Sequence, residues 1–339
     1  IKESTMLILG IESSCDETGL ALYSEDHGLI AHLVNSQIDL FTEYGGVIPE
    51  IAARDHSVKI IGILKQLLKQ TNHKLNDIDL IAYTAGPGLI GSLMIGETVA
   101  KTIANVLNIE LLPINHLEGH ILAPGLEEDG LEPPYLCLLV SGGHTQIIRC
   151  DGYGKYKIIG ETIDDACGEA FDKVGKLLNL EYPGGPKVSQ LAENGDSHRF
   201  KFPRAMMKDK NLNFSFSGLK TAVLYALEDL NEGDHADVAA SFQEAVIDAL
   251  TTKLTWAVQD TKIHKLVCSG GVASNKLLRE RLKQMAVNNN LEVSYPRMEF
   301  CTDNAAMIAY AGFIRKKFKL PTYSTNYARP RWPLGELYD

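Results

Sequence analysis

Apolar and polar positions along the chain repeat one plan twice. Residues 7–23 (LILGIESSCDETGLALY) read as strand, polar glycine-containing turn and strand, and a third strand is expected near 29–36. Val58, Ile61, Leu64 and Leu68 recur at helical spacing and predict a long helix over 47–70, entered near Pro49. Leu80 to Thr84 is a short buried strand that runs through Ala85-Gly86-Pro87-Gly88 into a helix ending near residue 107. A strand at 110–114 then leads into His116-Leu117-Glu118-Gly119-His120.

The plan restarts at Tyr135. Residues 135–150 (YLCLLVSGGHTQIIRC) are again strand, glycine-rich turn and strand. A helix is expected over 164–180, followed by a backbone-permissive loop at Tyr182-Pro183-Gly184-Gly185-Pro186. Residues 237–258 predict a long helix, and Lys265 to Cys268 a strand that enters Ser269-Gly270-Gly271-Val272-Ala273-Ser274-Asn275 ahead of a helix at 276–287. A strand at 291–295 and a helix at 304–318, capped by Cys301-Thr302-Asp303-Asn304, complete the second pass, and Pro330-Arg331-Trp332-Pro333 is a loop. The result is an α/β chain of two lobes, each opening on a glycine-turned hairpin.

A length of 339 residues fits two compact units, and 45% hydrophobic with 22% charged residues is the composition of a globular protein. No stretch reads as a signal peptide and no apolar run reaches membrane-spanning length, so a cytoplasmic enzyme is expected. The six cysteines form no Cys-x-x-Cys pair and fit reduced thiols better than a disulfide framework. A formal net charge of -10 excludes gripping nucleic acid over a broad surface; a local basic patch or a partner would have to supply the cations. The densest basic run, Arg315 to Lys319, falls at a predicted helix end, where cations are favoured in any case.

His116 and His120 stand four residues apart, which places both imidazoles on one helix face, a spacing suited to a divalent transition metal. Two satisfied core histidines would show the same spacing. Glycine-bearing turns at 13–19, 141–145 and 269–275 can each let backbone N–H groups converge on an anion, although tight hairpins need glycine for their own reasons. Three such turns in a duplicated chain favour a nucleotide held in a cleft between lobes. Neither a Walker loop nor a strand-linked Gly-x-Gly-x-x-Gly is present. A zinc-peptidase reading fails on geometry. Its His-Glu-x-x-His motif puts the base one residue after the first ligand, whereas Glu118 lies roughly 200° around the helix from His116. Glu118 is therefore expected at the surface or behind the ligands.

The layout is similar to the actin, heat-shock-chaperone and sugar-kinase ATPase superfamily. Its wording goes further: GIESSCDET, AYTAGPGL, NHLEGH, LVSGGHT, GEAFDKVGKLL, YPGGP, FSFSGLKT, SGGVASN, FCTDNAAMIAYAG and RPRWPL resemble the bacterial TsaD family over residues 6–335. These are tRNA N6-adenosine threonylcarbamoyltransferases, formerly described as O-sialoglycoprotein endopeptidases. The resemblance implies a duplicated two-lobe actin-like ATPase fold: a first lobe at 6–115, a second at 116–325 with the nucleotide and metal site, and a tail at 326–339. It assigns one divalent metal per subunit, Fe2+ ahead of Zn2+, to His116, His120 and Asp303. It assigns the nucleotide end of threonylcarbamoyl-AMP, or ATP or ADP, to Leu139, Val140, Ser141, Gly142, Gly143, Asp172, Gly185 and Asn275. Many family members carry an acid four positions after that glycine, where this chain has Ser189, which puts a contact there in doubt.

The implied reaction transfers threonylcarbamoyl from its adenylate to N6 of the adenosine just 3′ of the anticodon (position 37) in tRNAs reading ANN codons, with release of AMP. Asp16, in the first hairpin turn, is the candidate general base, with His144 as a second candidate; a turn carboxylate bonding its own backbone is the competing view of Asp16. Cys15 is a possible nucleophile or a packed thiol, Ser215 to Lys220 a substrate-proximal loop or a plain turn, and Glu50, Arg54 and His56 a contact for tRNA or partner or ordinary helix residues. The implied partners are tRNA, a TsaB-like paralogue docking on the first lobe with the 50–70 helix as its face, a TsaE-like P-loop ATPase and a TsaC-like synthase. A small-molecule kinase of the same fold would leave the His-His-Asp set unexplained, since magnesium prefers oxygen ligands. A non-catalytic nucleotide-binding scaffold would have no use for that set.

Overall fold

A computed structural model of the chain describes residues 6–127, 131–208, 210–228, 230–322 and 327–337. In chain order it runs β1 (Leu7–Glu12), β2 (Glu17–Ser24), β3 (Gly28–Ser36), α1 (Ile38–Thr42), α2 (Pro49–Thr71), β4 (Leu80–Gly86), α3 (Ile90–Leu107), β5 (Glu110–Asn115) and α4 (His116–Leu122). It continues with β6 (Tyr135–Val140), β7 (Thr145–Gly152), β8 (Lys155–Glu161), α5 (Cys167–Leu177), α6 (Gly184–Ala192), α7 (Ser217–Leu227), α8 (His235–Thr261), β9 (Lys265–Ser269), α9 (Lys276–Asn289), β10 (Glu292–Ser294) and α10 (Ala305–Lys317).

The two sheets repeat one topology. The first has the order β3-β2-β1-β4-β5 and the second β8-β7-β6-β9-β10. In each, the opening hairpin is antiparallel, from Leu7↔Ser24 to Glu12↔Gly19 and from Tyr135↔Cys150 to Val140↔Thr145. The hairpin's first strand then takes a parallel neighbour on its other side, with registers Ile8↔Leu80 and Leu136↔Leu266. β1, β4 and β6 are buried at every position, as strands covered on both faces are. The duplicated α/β plan expected from the hydrophobic pattern is thus present.

Two compact units carry these sheets. One comprises the chain up to Leu131, Gly152–Tyr156 and the chain from Pro296 onward; the other comprises Glu132–Asp151 and Lys157–Tyr295. This departs from the chain-order division at 115/116 and from a separate tail. α10 packs with β1 and β4 and α4 with β4 and β5, so residues 116–131 and 296–322 group with the first sheet. Residues 327–337 do so as well: Arg329 N–H donates to Ala85 O at 2.6 Å and Gly88 N–H to Pro330 O at 3.2 Å. Gly86 makes that crossing possible, since at φ +151° a Cβ would stand 1.9 Å from Arg329 O.

Other local expectations are revised. Gly19 does not turn the first hairpin; it lies in β2, and the turn is Ser13-Ser14-Cys15-Asp16. Gly10 and Gly19 instead admit α10: a Cβ on Gly10 would lie 2.4 Å from Ala305 O, and one on Gly19 3.0 Å from Ala305 N. The YPGGP stretch is no loop beyond Pro183, because Gly184 opens α6. Pro186 sits in a first helical turn, where its missing N–H has no partner to lose. Ser215 to Lys220 is the entry to α7, capped by Asp164, which accepts from the N–H groups of Phe216 and Ser217 and from both serine hydroxyls. On α2 the buried stripe is Ala52, His56, Ile60, Leu64 and Leu67, while Val58 and Ile61, which the spacing counts toward the core, are exposed. Among the described residues, no helix is long and apolar enough to cross a membrane.

The α10 contact is open to a direct check. Gly10→Ala forces backbone or Ala309 to give way and is expected to lower unfolding free energy by about 1–3 kcal/mol, whereas Gly46→Ala, with nothing within 4 Å, should stay within about 0.5 kcal/mol. Urea denaturation of both variants decides it; equal midpoints would remove the argument.

Candidate functional site

β5 delivers the chain to α4 through Asn115, whose side chain accepts from Leu117 N–H and Glu118 N–H and caps the helix. Its amide donates to Trp332 O at 2.9 Å, which ties α4 to the 327–337 segment. His116 and His120 then emerge on one face. Asn304 caps α10 through Met307 N–H and holds Asp303 just ahead of it.

Asp303 Oδ1 stands 3.3 Å from His116 Nε2 and 3.0 Å from His120 Nε2. Among the described residues one group of three such donors comes together, with its ligand atoms all within 4.8 Å of one another. Two imidazole nitrogens and one carboxylate oxygen suit a single divalent ion of borderline softness. The far nitrogen of His116, Nδ1, lies 3.1 Å from Glu12 Oε2 and 3.2 Å from Ser14 Oγ. A carboxylate behind a histidine fixes its tautomer and raises its basicity, an arrangement common around metal ligands.

The electrostatics match. Burial alone would depress His116, but the carboxylates of Asp303 and Glu12 hold it well above the ordinary histidine range. Burial pulls Asp303 up, and the two imidazoles outweigh it and keep the carboxyl well below its usual range. The carboxylates therefore impose a demand for positive charge at this point, which a proton meets and a divalent cation meets better. Next to it, Glu17 is pushed well above the usual carboxylate range by burial, then by Asp303 and Asp16, and is hydrogen-bonded to Asp16. Burial, followed by Asp16 and Asp303, also pushes the Cys15 thiol up, so Cys15 is no ready thiolate nucleophile. His56 is buried between Thr18 Oγ1 and Cys15 O and packs the underside of the turn rather than facing a partner.

Glu118 points away from His116, as its place on the helix predicts, but it is fully buried rather than at the surface. Its carboxylate accepts from Arg315 Nε at 2.8 Å and from Tyr156 Oη at 3.1 Å. Arg315, read in the sequence as part of a solvated last turn, is thus the buried cation that joins α10 to α4. Glu12, Glu17 and Arg315 are the residues that sequence reasoning missed. The available signal for Glu12 was a lone carboxylate ending an otherwise apolar strand.

The residues assigned to the nucleotide all fall in the second unit. Leu139 and Val140 end β6, and Ser141 closes the β6–β7 turn with His144, donating N–H to its carbonyl at 2.8 Å and accepting its N–H at 3.1 Å. His144 thereby shapes the turn. Gly142 and Gly143 are exposed, and a Cβ on either would meet nothing within 4 Å. Asp172 on α5 accepts Gly185 N–H at 3.1 Å, and Asn275 caps α9 through Leu278 N–H at 3.0 Å. The Ser189 hydroxyl donates to Gly185 O and accepts from Asn275 Nδ2.

A family model described as TsaD, tRNA N6-adenosine threonylcarbamoyltransferase, matches residues 28–310. This chain belongs to the TsaD family. A tRNA N6-adenosine threonylcarbamoyltransferase of Methylobacillus flagellatus is 51% identical over 336 residues, covering 98% of this chain and 99% of that relative. TsaD membership removes the ground for the kinase and scaffold alternatives. Among solved structures, HypF of T. kodakarensis aligns with a TM-score of 0.64 at 16% identity, over 93% of this chain and 48% of that one, so the chain spans about half its length. Component A of (R)-2-hydroxyglutaryl-CoA dehydratase of Acidaminococcus fermentans aligns with a TM-score of 0.52 at 13% identity, over 90% and 96% of the two chains. At these identities the likeness is one of fold, the duplicated actin-like ATPase architecture.

The Glu118–Arg315 pair should matter to stability. Arg315→Met leaves a buried carboxylate unpaired and is expected to lower unfolding free energy by about 3–5 kcal/mol, while Arg315→Met with Glu118→Met should recover most of it. Chemical denaturation of the single and double variants tests this; a single-variant loss under about 1 kcal/mol would contradict it.

Proposed function

We propose that this chain moves the threonylcarbamoyl group from threonylcarbamoyl-AMP to N6 of the adenosine 3′ of the anticodon, position 37, in tRNAs reading ANN codons. The observation that supports it most is the His116–His120–Asp303 set, backed by Glu12, in a chain of the TsaD family. In the reaction N6 attacks the carbamoyl carbon, the bond from that carbon to the phosphate oxygen breaks, AMP departs with the electron pair, and N6 loses a proton. A divalent ion held by His116, His120 and Asp303, Fe2+ or Zn2+ by donor chemistry, would supply Lewis-acid polarisation and orientation.

The chain's own residues carry the rest. Glu12 holds the His116 ring with Nε2 toward Asp303. Asp16 takes the proton from N6; its place in the β1–β2 turn and its hydrogen bond to Glu17 support that role. Gly142 and Gly143 adopt no left-handed backbone and face no crowding, so neither packing nor turn geometry calls for glycine there. Close approach of a ligand to the backbone does, which supports the adenylate assignment to Leu139 through Gly143, with Asp172, Gly185 and Asn275. An RNA substrate fits a cytoplasmic setting.

Partners follow the same reading. Val58 and Ile61 on α2, with Ile90 and Met94 on α3, leave apolar side chains exposed on packed helices of the first unit. A TsaB-like paralogue docks there in this proposal, with a TsaE-like ATPase joining the assembly and a TsaC-like synthase supplying the adenylate.

Two experiments test these statements. With tRNA, synthase, partners, threonine, bicarbonate and ATP, the wild type should yield threonylcarbamoyladenosine by nucleoside mass spectrometry. His116→Ala should lose metal and product, Glu12→Gln should bind metal about 10–100-fold more weakly, and Asp16→Asn should keep metal but lose about 100-fold or more in rate. Full transfer by Asp16→Asn would end its role as base, and full metal loading of His116→Ala would end the ligand assignment. Separately, Val58→Glu with Ile61→Glu should abolish co-elution with a TsaB-like partner at unchanged melting temperature; unaltered co-elution would move the interface elsewhere.

A further inference from the structure

Asn275 has no amide hydrogen to spare. Its Nδ2 donates to Ser189 Oγ at 2.9 Å and to Gln243 Oε1 at 2.7 Å, and its Oδ1 accepts Leu278 N–H at 3.0 Å. The orientation is determined, since an exchanged amide would set oxygen against Gln243 Oε1 and nitrogen against the Leu278 N–H. Ser189 spends its hydrogen on Gly185 O at 3.0 Å, and Gly185 N–H donates to Asp172 Oδ1 at 3.1 Å. One continuous chain of hydrogen bonds therefore runs Asp172–Gly185–Ser189–Asn275–Gln243, joining α5, α6, α9 and α8 within a single unit.

Three of its five members are the residues assigned above to the nucleotide; the other two, Ser189 and Gln243, are unassigned. Gln243 is 8% exposed on α8, with its carbonyl aimed at Asn275, and Ser189 is the only link that addresses both Gly185 and Asn275 among the hydrogen bonds of the described residues. We infer that Gln243 and Ser189 are positioning residues of the nucleotide site: they hold the first turn of α6 and the start of α9 in the arrangement that receives the adenylate. The inference rests on the adenylate reading of the preceding section. Linked bonds of this kind reinforce one another, so loss of either end loosens the whole arrangement.

The test is calorimetric titration of the full chain with ADP and with AMP, alongside thermal melts and transfer rates at saturating and limiting adenylate. Gln243→Leu and Ser189→Ala should each weaken nucleotide binding about 10-fold, and the double variant by far less than the product, because both act through one amide. Gln243→Glu and Ser189→Thr, which keep the accepting oxygen and the hydroxyl, should bind within about 3-fold of wild type. Transfer should show a raised KM with kcat retained, and metal content should not change. Wild type that binds neither nucleotide would overturn the adenylate assignment and this inference with it. Wild type that binds while Gln243→Leu and Ser189→Ala bind equally well, with only the melting temperature lowered, would overturn the positioning role alone. Ser189→Ala serves should Gln243→Leu fail to fold.

Discussion

The backbone of α10 lies directly on β1 and β2, at Gly10 and Gly19, with no side chain between them. The place of Asp303 beside His116 and His120 depends on that approach. α10 begins at Ala305, the residue that touches both glycines, so the same contact sets the height at which Asp303 and its capping neighbour Asn304 stand. A Cβ at Gly10 would need space already filled by Ala305 O. The carboxylate, two residues ahead of the helix, would then move relative to the histidines. At its other end, Arg315 fastens α10 to α4 through Glu118 in a region closed to water. One helix is thus pinned twice, and the second pin holds the element that carries His116 and His120.

The buried ion pair is better understood as a register device than as a source of stability. Charges taken out of water gain little net energy from one another, but a mismatch of α4 against α10 would leave one of them unpaired. Sliding either helix by a residue would add an unpaired buried charge to the loss of apolar contact. That suits a donor set whose ligand atoms must meet within 4.8 Å.

Much of this was legible in the residues, for reasons that differ from place to place. The two passes of strand, turn and strand stood out because β1, β4 and β6 are buried on both faces and their apolar runs are unbroken. His116 and His120 were legible because four-residue spacing fixes a helix face. Asp303 was not derivable from spacing at all; 183 residues separate it from His120, and resemblance alone connected them. Periodicity misjudged α2 because an outward apolar face reads like an inward one, and Val58 and Ile61 point out. Arg315 was misread because charge at a helix end is usually solvated, and nothing local announces a buried carboxylate nearly two hundred positions earlier. Gly19 reads locally as a turn residue, whereas it serves a helix that begins almost three hundred positions later.

Asn115 also bears on the order in which the molecule is made. Its oxygen starts the helix of His116 and His120, while its nitrogen is held by the carbonyl of Trp332. Synthesis proceeds from the amino end, so the histidines leave the ribosome long before Asp303 and Trp332 do. The intervening unit, Glu132–Asp151 with Lys157–Tyr295, contains its own sheet and is translated in full before Asp303 and Trp332. His116, His120 and Asp303 therefore come together only after Asp303 has been translated, and a chain that stops short of it carries both imidazoles without the carboxylate.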